Sequence, residues 1–401
     1  MNNTHLERRH DVDWLRVLAM LTVFFFHCAR FFDFEGWHVK NDQQHVGFMV
    51  FVAFIWMWIM PLFFLLSGAG SFFSLGRRSA GQYAIERLKR LAIPYVMGVF
   101  LIIPPQRYVE ALSQGRFSGS YIEFYPHSLT LNFFYWNFSF LGYYGTHLWF
   151  IGLLFFLSLV ALPVFLFLKR ESGHRFISAL AALAERPGGI FLFMVPIAIV
   201  QMTLRASFPG ECNWADFFYY LTFFVMGYII WSNKRFEKGI RKHGTGALIT
   251  GIISFFLIGL WYFAGNLESV LANPQYSATF LSLQLLVSVN TWAWLVFIMS
   301  VGLKHLKFSN KLLDYASEAV LPFYILHQTV ILLIGFYIVQ WNAGILVKYS
   351  IISATSFVIT VGIYDVCVRR TNATRFLFGM RLKKRNARPT GIAADSIAEN
   401  H

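Results

Sequence analysis

Arg16 and His27 stand eleven positions apart within the apolar stretch from Trp14 to Phe34. At about 100° per residue, eleven positions bring two helical side chains to within roughly 20° of each other, so they share a face. Asp13 and Arg30 fall on the same stripe. An arginine at the centre of a bilayer costs about 2.5 to 3.5 kcal/mol on insertion scales, so the stripe is expected to line a polar interior rather than face lipid. Imidazole takes up a proton near neutral pH, which suits His27 to general-base work on a hydroxyl. A rise of 1.5 Å per residue sets it about 16 Å from Arg16 along the axis. The plainer reading of a lone membrane histidine is a hydrogen bond to a neighbouring helix's carbonyl; the aligned arginines favour the chemical one. Asp13, three residues before Arg16, is placed either to pair with that guanidinium or, with Asp11, to complement the helix start.

Other candidates lie further along. Arg87 and Arg90 are three apart in GRRSAGQYAIERLKRLAIPY. On a helix that spacing puts two guanidinium groups on one side, a geometry suited to phosphate, although anchoring to the inner leaflet also explains a basic cluster. His147 and Trp149 open a later apolar run in THLWFIGLL, His327 lies inside another in PFYILHQTV, and Trp37 and His38 directly follow the first. Tryptophan collects at membrane interfaces without any ligand, and each histidine alone reads as structural; their arrangement makes them candidate substrate contacts. Cys28, Cys212 and Cys367 have no CxxC or CxxH spacing, so neither a metal site nor a resident cofactor is expected.

These residues must be held by membrane helices. Of 401 residues 57% are hydrophobic and 13% charged, which excludes an ordinary soluble protein. Apolar runs long enough for a hydrocarbon core of about 30 Å recur ten times, near 13–34, 46–75, 91–111, 146–168, 189–207, 215–232, 246–265, 280–303, 317–340 and 346–367. The expected fold is an all-α polytopic membrane protein, about ten transmembrane helices around a polar central cavity. The second run is long and contains Pro61, where a kink is expected. No cleavage site follows the first run, so it is expected to stay in the mature chain. With the N-terminus inside, 27 of the 34 Lys and Arg fall in inner segments. This is the positive-inside pattern; both termini are expected in the cytoplasm, and the net charge of +14 reflects topology rather than nucleic acid. Residues 1–385 read as one membrane domain. RRTNATRFLFGMRLKKR is expected on the inner leaflet and 386–401 as a disordered tail. The outer loop near 106–145 is dense in Tyr, Phe, Trp and Asn; interfacial anchoring explains it first, sugar stacking second.

The segment from Arg16 to His27, within DVDWLRVLAMLTVFFFH, resembles the Arg-X10-His signature of the membrane-bound acyltransferase type 3 family. PLFFLLSG (Pro61 to Gly68), RLKRLAIP (Arg87 to Pro94), HLWFIGLL (His147 to Leu154) and FYILH (Phe323 to His327) resemble further landmarks of that family, in order over nearly the whole chain. Trp37-His38-Val39, GIYDVCVRR and RFLFGMR are similar to the branch that succinylates osmoregulated periplasmic glucans. Other members acylate O-antigen, peptidoglycan, exopolysaccharide or antibiotics, and short strings do not separate these acceptors. The resemblance implies an O-acyltransferase of the inner membrane that moves an acetyl or succinyl group from cytoplasmic acyl-coenzyme A (acyl-CoA), a co-substrate, to a hydroxyl of an extracytoplasmic glycan. It implies His27 as the essential base, Arg16 as a donor-side contact and Arg87 and Arg90 on the cytoplasmic face, with Asp13, Trp149 and His327 contributing. Arg16 or Arg30 is then placed to stabilise an oxyanion, and both direct transfer and an acyl-histidine fit. Two classes compete: a transporter of a small anion through an Arg- and His-lined pathway, and a non-catalytic assembly subunit whose aromatic outer loop only binds glycan.

Overall fold

Among the described residues ten apolar helical elements follow one another and alternate in direction. The computed structural model describes residues 8–129, 138–265, 270 and 274–383. Residues 130–137 of the aromatic loop and the expected tail 386–401 lie outside the described residues. The elements are α1 (His10–Ala29), α2 (Val46–Leu75), α3 (Ala80–Ser113), α4 (Ser139–Val160), α5 (Gly189–Leu204), α6 (Trp214–Ser232), α7 (Arg235–Phe263), α8 (Ala278–His305), α9 (Lys311–Ile338) and α10 (Ile345–Val368). All but α5 are long and apolar enough to cross a membrane. In α5 a five-residue 3-10 turn, Gly189–Phe193, leads into Met194–Leu204.

The packing shows that α5 nevertheless runs the same way as a full traverse. Its start lies by α7, where the Gly188 N–H donates to His243 at 3.0 Å, and its end lies by the head of α8, where the Tyr276 hydroxyl donates to the Thr203 carbonyl at 2.6 Å. α7 and α8 are antiparallel, with Arg241 bonded to the Leu303 carbonyl near one end and Asn290 to the Gly251 carbonyl midway. α1 and α9 are parallel: Arg8 pairs with Asp314 at 2.6 Å, Phe24 lies 5.6 Å from Phe323, and His27 lies 5.2 Å from His327. Two parallel helices must be separated by an odd number of crossings, which the seven intervening elements supply only if α5 is one of them. The described C-terminal segment returns to the end where α1 begins, with Arg375 bound to Glu318 of α9 at 2.6 Å.

Local chemistry sets the boundaries. Ser79 and Gln82 form a capping box, so α3 starts well before the apolar run expected from 91 and carries the basic RLKR string inside the helix. Asn213, Ser277 and Asn310 cap α6, α8 and α9 with a side-chain oxygen that accepts from backbone N–H groups of the first turn. The kink expected at Pro61 lies one turn earlier: α2 breaks between Trp56 and Ile59. Proline has no N–H to return to the carbonyl of Met57, and Thr291 of α8 donates to that oxygen instead, at 2.8 Å. The C-terminal string also departs from a purely peripheral placement. Phe378 and Met380 are buried against the bundle, while Phe376 and Leu377 stay exposed.

α2 and α6 approach through reciprocal glycines. A methyl on Gly68 would collide with the Phe224 carbonyl, and one on Gly227 with the Leu65 carbonyl. Gly259 of α7, by contrast, has open space around it. Gly227→Ala should therefore destabilise by about 1–3 kcal/mol through overpacking, whereas Gly259→Ala should leave stability unchanged or slightly raised. Thermal unfolding midpoints of the two variants in one detergent check this.

Candidate active site

Four imidazoles gather where α1, α3, α4 and α9 meet the loop after α1. His27 occupies the last turn of α1. His327, fully buried on α9, stands between His27 and His147, with ring centroids 5.2 and 5.4 Å away. The His327 Nδ1 lies 2.7 Å from the Tyr324 carbonyl and donates to it, which leaves Nε2 a bare acceptor without a partner. His147 donates from Nε2 to the Ile325 carbonyl at 3.2 Å. Its Nδ1 accepts from the Gln106 amide and the Thr146 hydroxyl, each at 3.3 Å. The Gln106 amide also donates to Thr329 at 2.6 Å, and its oxygen accepts from Gln328 at 3.1 Å. Gln328 in turn reaches the His38 Nε2 at 3.4 Å, while the His38 Nδ1 lies 2.5 Å from Glu110. The result is a connected network of imidazoles, amides and hydroxyls ending in one carboxylate.

The loop that supplies Trp37 and His38 is tied down by a buried charge. Asp33 is 0% exposed and holds both Arg30 and Lys40, the latter at 2.5 Å. Arg30 also donates to the Gly36 carbonyl at 2.6 Å, and Lys348 of α10 reaches Asn41 at 2.8 Å. Burial lowers the Lys40 pKa, and the Asp33 carboxylate opposes the shift. So anchored, the loop stacks Trp37 on His27, ring centroids 6.1 Å apart and planes 15° apart. The His27 Nδ1 is buried without a partner.

A second polar cluster lies at the opposite end of α1. Arg16 is partly exposed and donates to the Leu66 carbonyl of α2 at 2.9 Å, passing over Gly70, where a methyl would strike its guanidinium. Asp13 takes Arg8 at 2.7 Å rather than Arg16. Arg87 bonds Ser71 at 3.2 Å, stacks on Tyr83 at 4.7 Å, and keeps a buried Nε without a partner. Arg90 turns another way, toward Glu86 at 3.6 Å and the Gly379 carbonyl at 3.1 Å. The two do not form the single-sided pair expected of an α-helix because a π-turn, Leu88–Ala92, begins between them and contains Arg90. Pro94 just beyond cannot return an N–H to Arg90.

The acyltransferase domain family matches residues 9–365, which takes in both clusters. The chain belongs to the acyltransferase 3 family. Glucans biosynthesis protein C of Salmonella typhimurium is 23% identical over 408 residues, covering 97% of this chain and 100% of the relative. The protein of the same name from Salmonella heidelberg is 23% identical over 353 residues, covering 84% and 86%. No solved structure matches.

In this acyltransferase the structure brings His27, Trp37, His38, His147 and His327 together, and gathers Arg16, Arg87 and Arg90 at the other end. Trp149 stands apart, with Phe64 and Tyr220 as ring neighbours. Arg30 is committed to Asp33 and Gly36. Sequence reasoning missed Gln106, Glu110 and Gln328. A signal was present: Gln106 and Glu110 are one turn apart in an expected span, and Gln328 follows His327 inside another, where polar residues are costly. Because Asp33 neutralises two cations out of water, Asp33→Asn should cost about 3 kcal/mol and lower acyl transfer by loosening Trp37 and His38. Denaturation midpoint and turnover, measured on one preparation, check both effects.

Proposed function

We propose that the protein moves an acetyl or succinyl group from acyl-CoA on the cytoplasmic side of the inner membrane to a hydroxyl of an extracytoplasmic glycan. The observation that carries this reading is the pairing of Arg16 and His27 on one face of α1: each is partly exposed, they lie about 16 Å apart, and they belong to clusters of opposite character. One end is cationic and suits a phosphate-bearing donor; the other is a network of imidazoles, amides and a carboxylate, suited to hydroxyl chemistry. Arg8, Arg78, Arg90 and Arg375 all lie at the end where α1 begins, and the positive-inside rule assigns that end, with both described termini, to the cytoplasm. A glucan acceptor is supported by the name of the relatives.

In this reading Arg87 and Arg90, which face different neighbours, each hold a separate phosphate of coenzyme A, the unpartnered Arg87 Nε being a donor in reserve. The narrow acyl-bearing arm passes Arg16 and presents its thioester at His27, where the hydroxyl arrives from the other side. The acyl group changes compartment while its carrier stays.

Incubating the purified protein with acyl-CoA and periplasmic glucan should release free thiol and add the acyl mass to the glucan. His27→Ala should insert and purify normally yet release no thiol above background; intact transfer in that variant would remove His27 from the chemistry. A transporter would leave the thioester whole. Replacing Arg87 and Arg90 together by alanine should raise the apparent KM for acyl-CoA by about tenfold or more, the loss of charge-assisted bonds, with a smaller effect on glucan; unchanged donor affinity would refute the phosphate contacts.

A further inference from the structure

Two imidazoles border the indole of Trp37: His27, stacked on it, and His38, whose ring centroid lies 5.6 Å from it. Both keep accessible surface. They differ in what their other nitrogen does. A histidine acting as base must present a lone pair, and it fixes that tautomer by committing the N–H of the second nitrogen to an acceptor. His38 does this, with Nδ1 2.5 Å from the Glu110 carboxylate, which Arg116 also holds at 2.8 Å. Its Nε2 is thereby the lone-pair nitrogen, and the Gln328 amide meets it at 3.4 Å, a long bond that a hydroxyl can replace.

His27 is arranged the other way. Its Nδ1 is buried without an acceptor. A buried N–H lacking an acceptor costs more than a bare ring nitrogen, so the proton belongs on Nε2. That ring offers its surroundings a donor. Among the described residues no carboxylate is paired with His27, whereas Glu110 stands ready to stabilise a charged His38.

We infer that His38, oriented by Glu110, is the general base for the acceptor hydroxyl, and that His27 donates to the carbonyl oxygen of the acyl donor. This division of labour rests on the acyl-transfer reading. In the step, the hydroxyl proton passes to the His38 Nε2 as the hydroxyl oxygen bonds to the thioester carbon. Negative charge builds on the carbonyl oxygen against the His27 N–H. The C–S bond then breaks, its electron pair leaves on sulfur, and the proton on His38 passes to that sulfur, giving ester and free thiol and restoring neutral imidazole. His38 is a catalytic residue in this scheme and Glu110 a positioning residue. The groups around His38 that carry or can carry charge are Glu110 and, through it, Arg116, with His27 and His147 beyond.

The test compares two acceptors, periplasmic glucan and hydroxylamine, with succinyl-CoA as donor. Hydroxylamine is nucleophilic without a base. Glu110→Gln and His38→Gln should slow transfer to glucan by about 100-fold or more, the usual worth of a general base, and slow transfer to hydroxylamine far less. Glu110→Asp should recover part of the glucan rate. His27→Ala should lose both acceptors. Wild-type glucan transfer in Glu110→Gln or His38→Gln would overturn the assignment. So would equal loss of both acceptors with no recovery in Glu110→Asp, which is the mark of a structural role. The wild-type rate on hydroxylamine, taken alongside, reports acyl transfer itself and keeps the two readings separate.

Discussion

No water serves the polar groups inside a membrane bundle, so each must be met by another part of the chain. That constraint organises this protein. Pro61 withdraws an N–H and Thr291 supplies the missing donor; the indole of Trp292 finds the Ile190 carbonyl at 2.8 Å; Asn290 bridges α8 to α7. Each such bond costs about 1–3 kcal/mol to leave unmade, so helix positions follow from polar pairing as much as from apolar packing. The atoms left unmatched include the His27 Nδ1, the His327 Nε2, the Gln328 Oε1 and the Arg87 Nε. Those four belong to the two clusters where substrates are proposed to sit.

The clusters differ in kind for a physical reason. At the arginine end, charges lie at the mouth of the bundle, are partly exposed, and are compensated by Glu86, Asp13 and Glu318. At the histidine end, imidazoles and amides face one another, and the charged groups are held in pairs, Glu110 with His38 and Arg116 and the buried Asp33 with Arg30 and Lys40. α1 spans both, so its length sets the distance over which an acyl chain would have to reach. Trp37, held by the Asp33 anchor, closes the histidine end against Phe31 and His27.

Much of this was legible in one dimension. The alignment of Arg16 with His27 follows from helical period alone, and the ten apolar runs correspond to ten elements. What spacing cannot show is convergence from distant helices. Gln106, Glu110 and Gln328 matter because α3 and α9 bring them to His38, and no local pattern states that. Asp13 illustrates a subtler failure: three residues from Arg16 it was a natural partner, yet the flanking Arg8 folds back and takes it. Likewise Arg87 and Arg90 have α-helical spacing, but the π-turn ahead of Pro94 sends them to different neighbours. Ser79 and Gln82 did announce the early start of α3, in the code of a capping box rather than of hydropathy.

Gly379 adopts φ +67°, a conformation that suits glycine, and it lies so close to the Arg90 carbonyl that any side chain there would collide. Its own carbonyl receives Arg90, and Arg375 nearby secures Glu318 of α9. The last segment described is thus a clasp on the arginine end. In biogenesis this fixes an order: α1 to α10 can be threaded into the bilayer one after another, but the arginine end acquires its final shape only once the segment around Gly379 has been made.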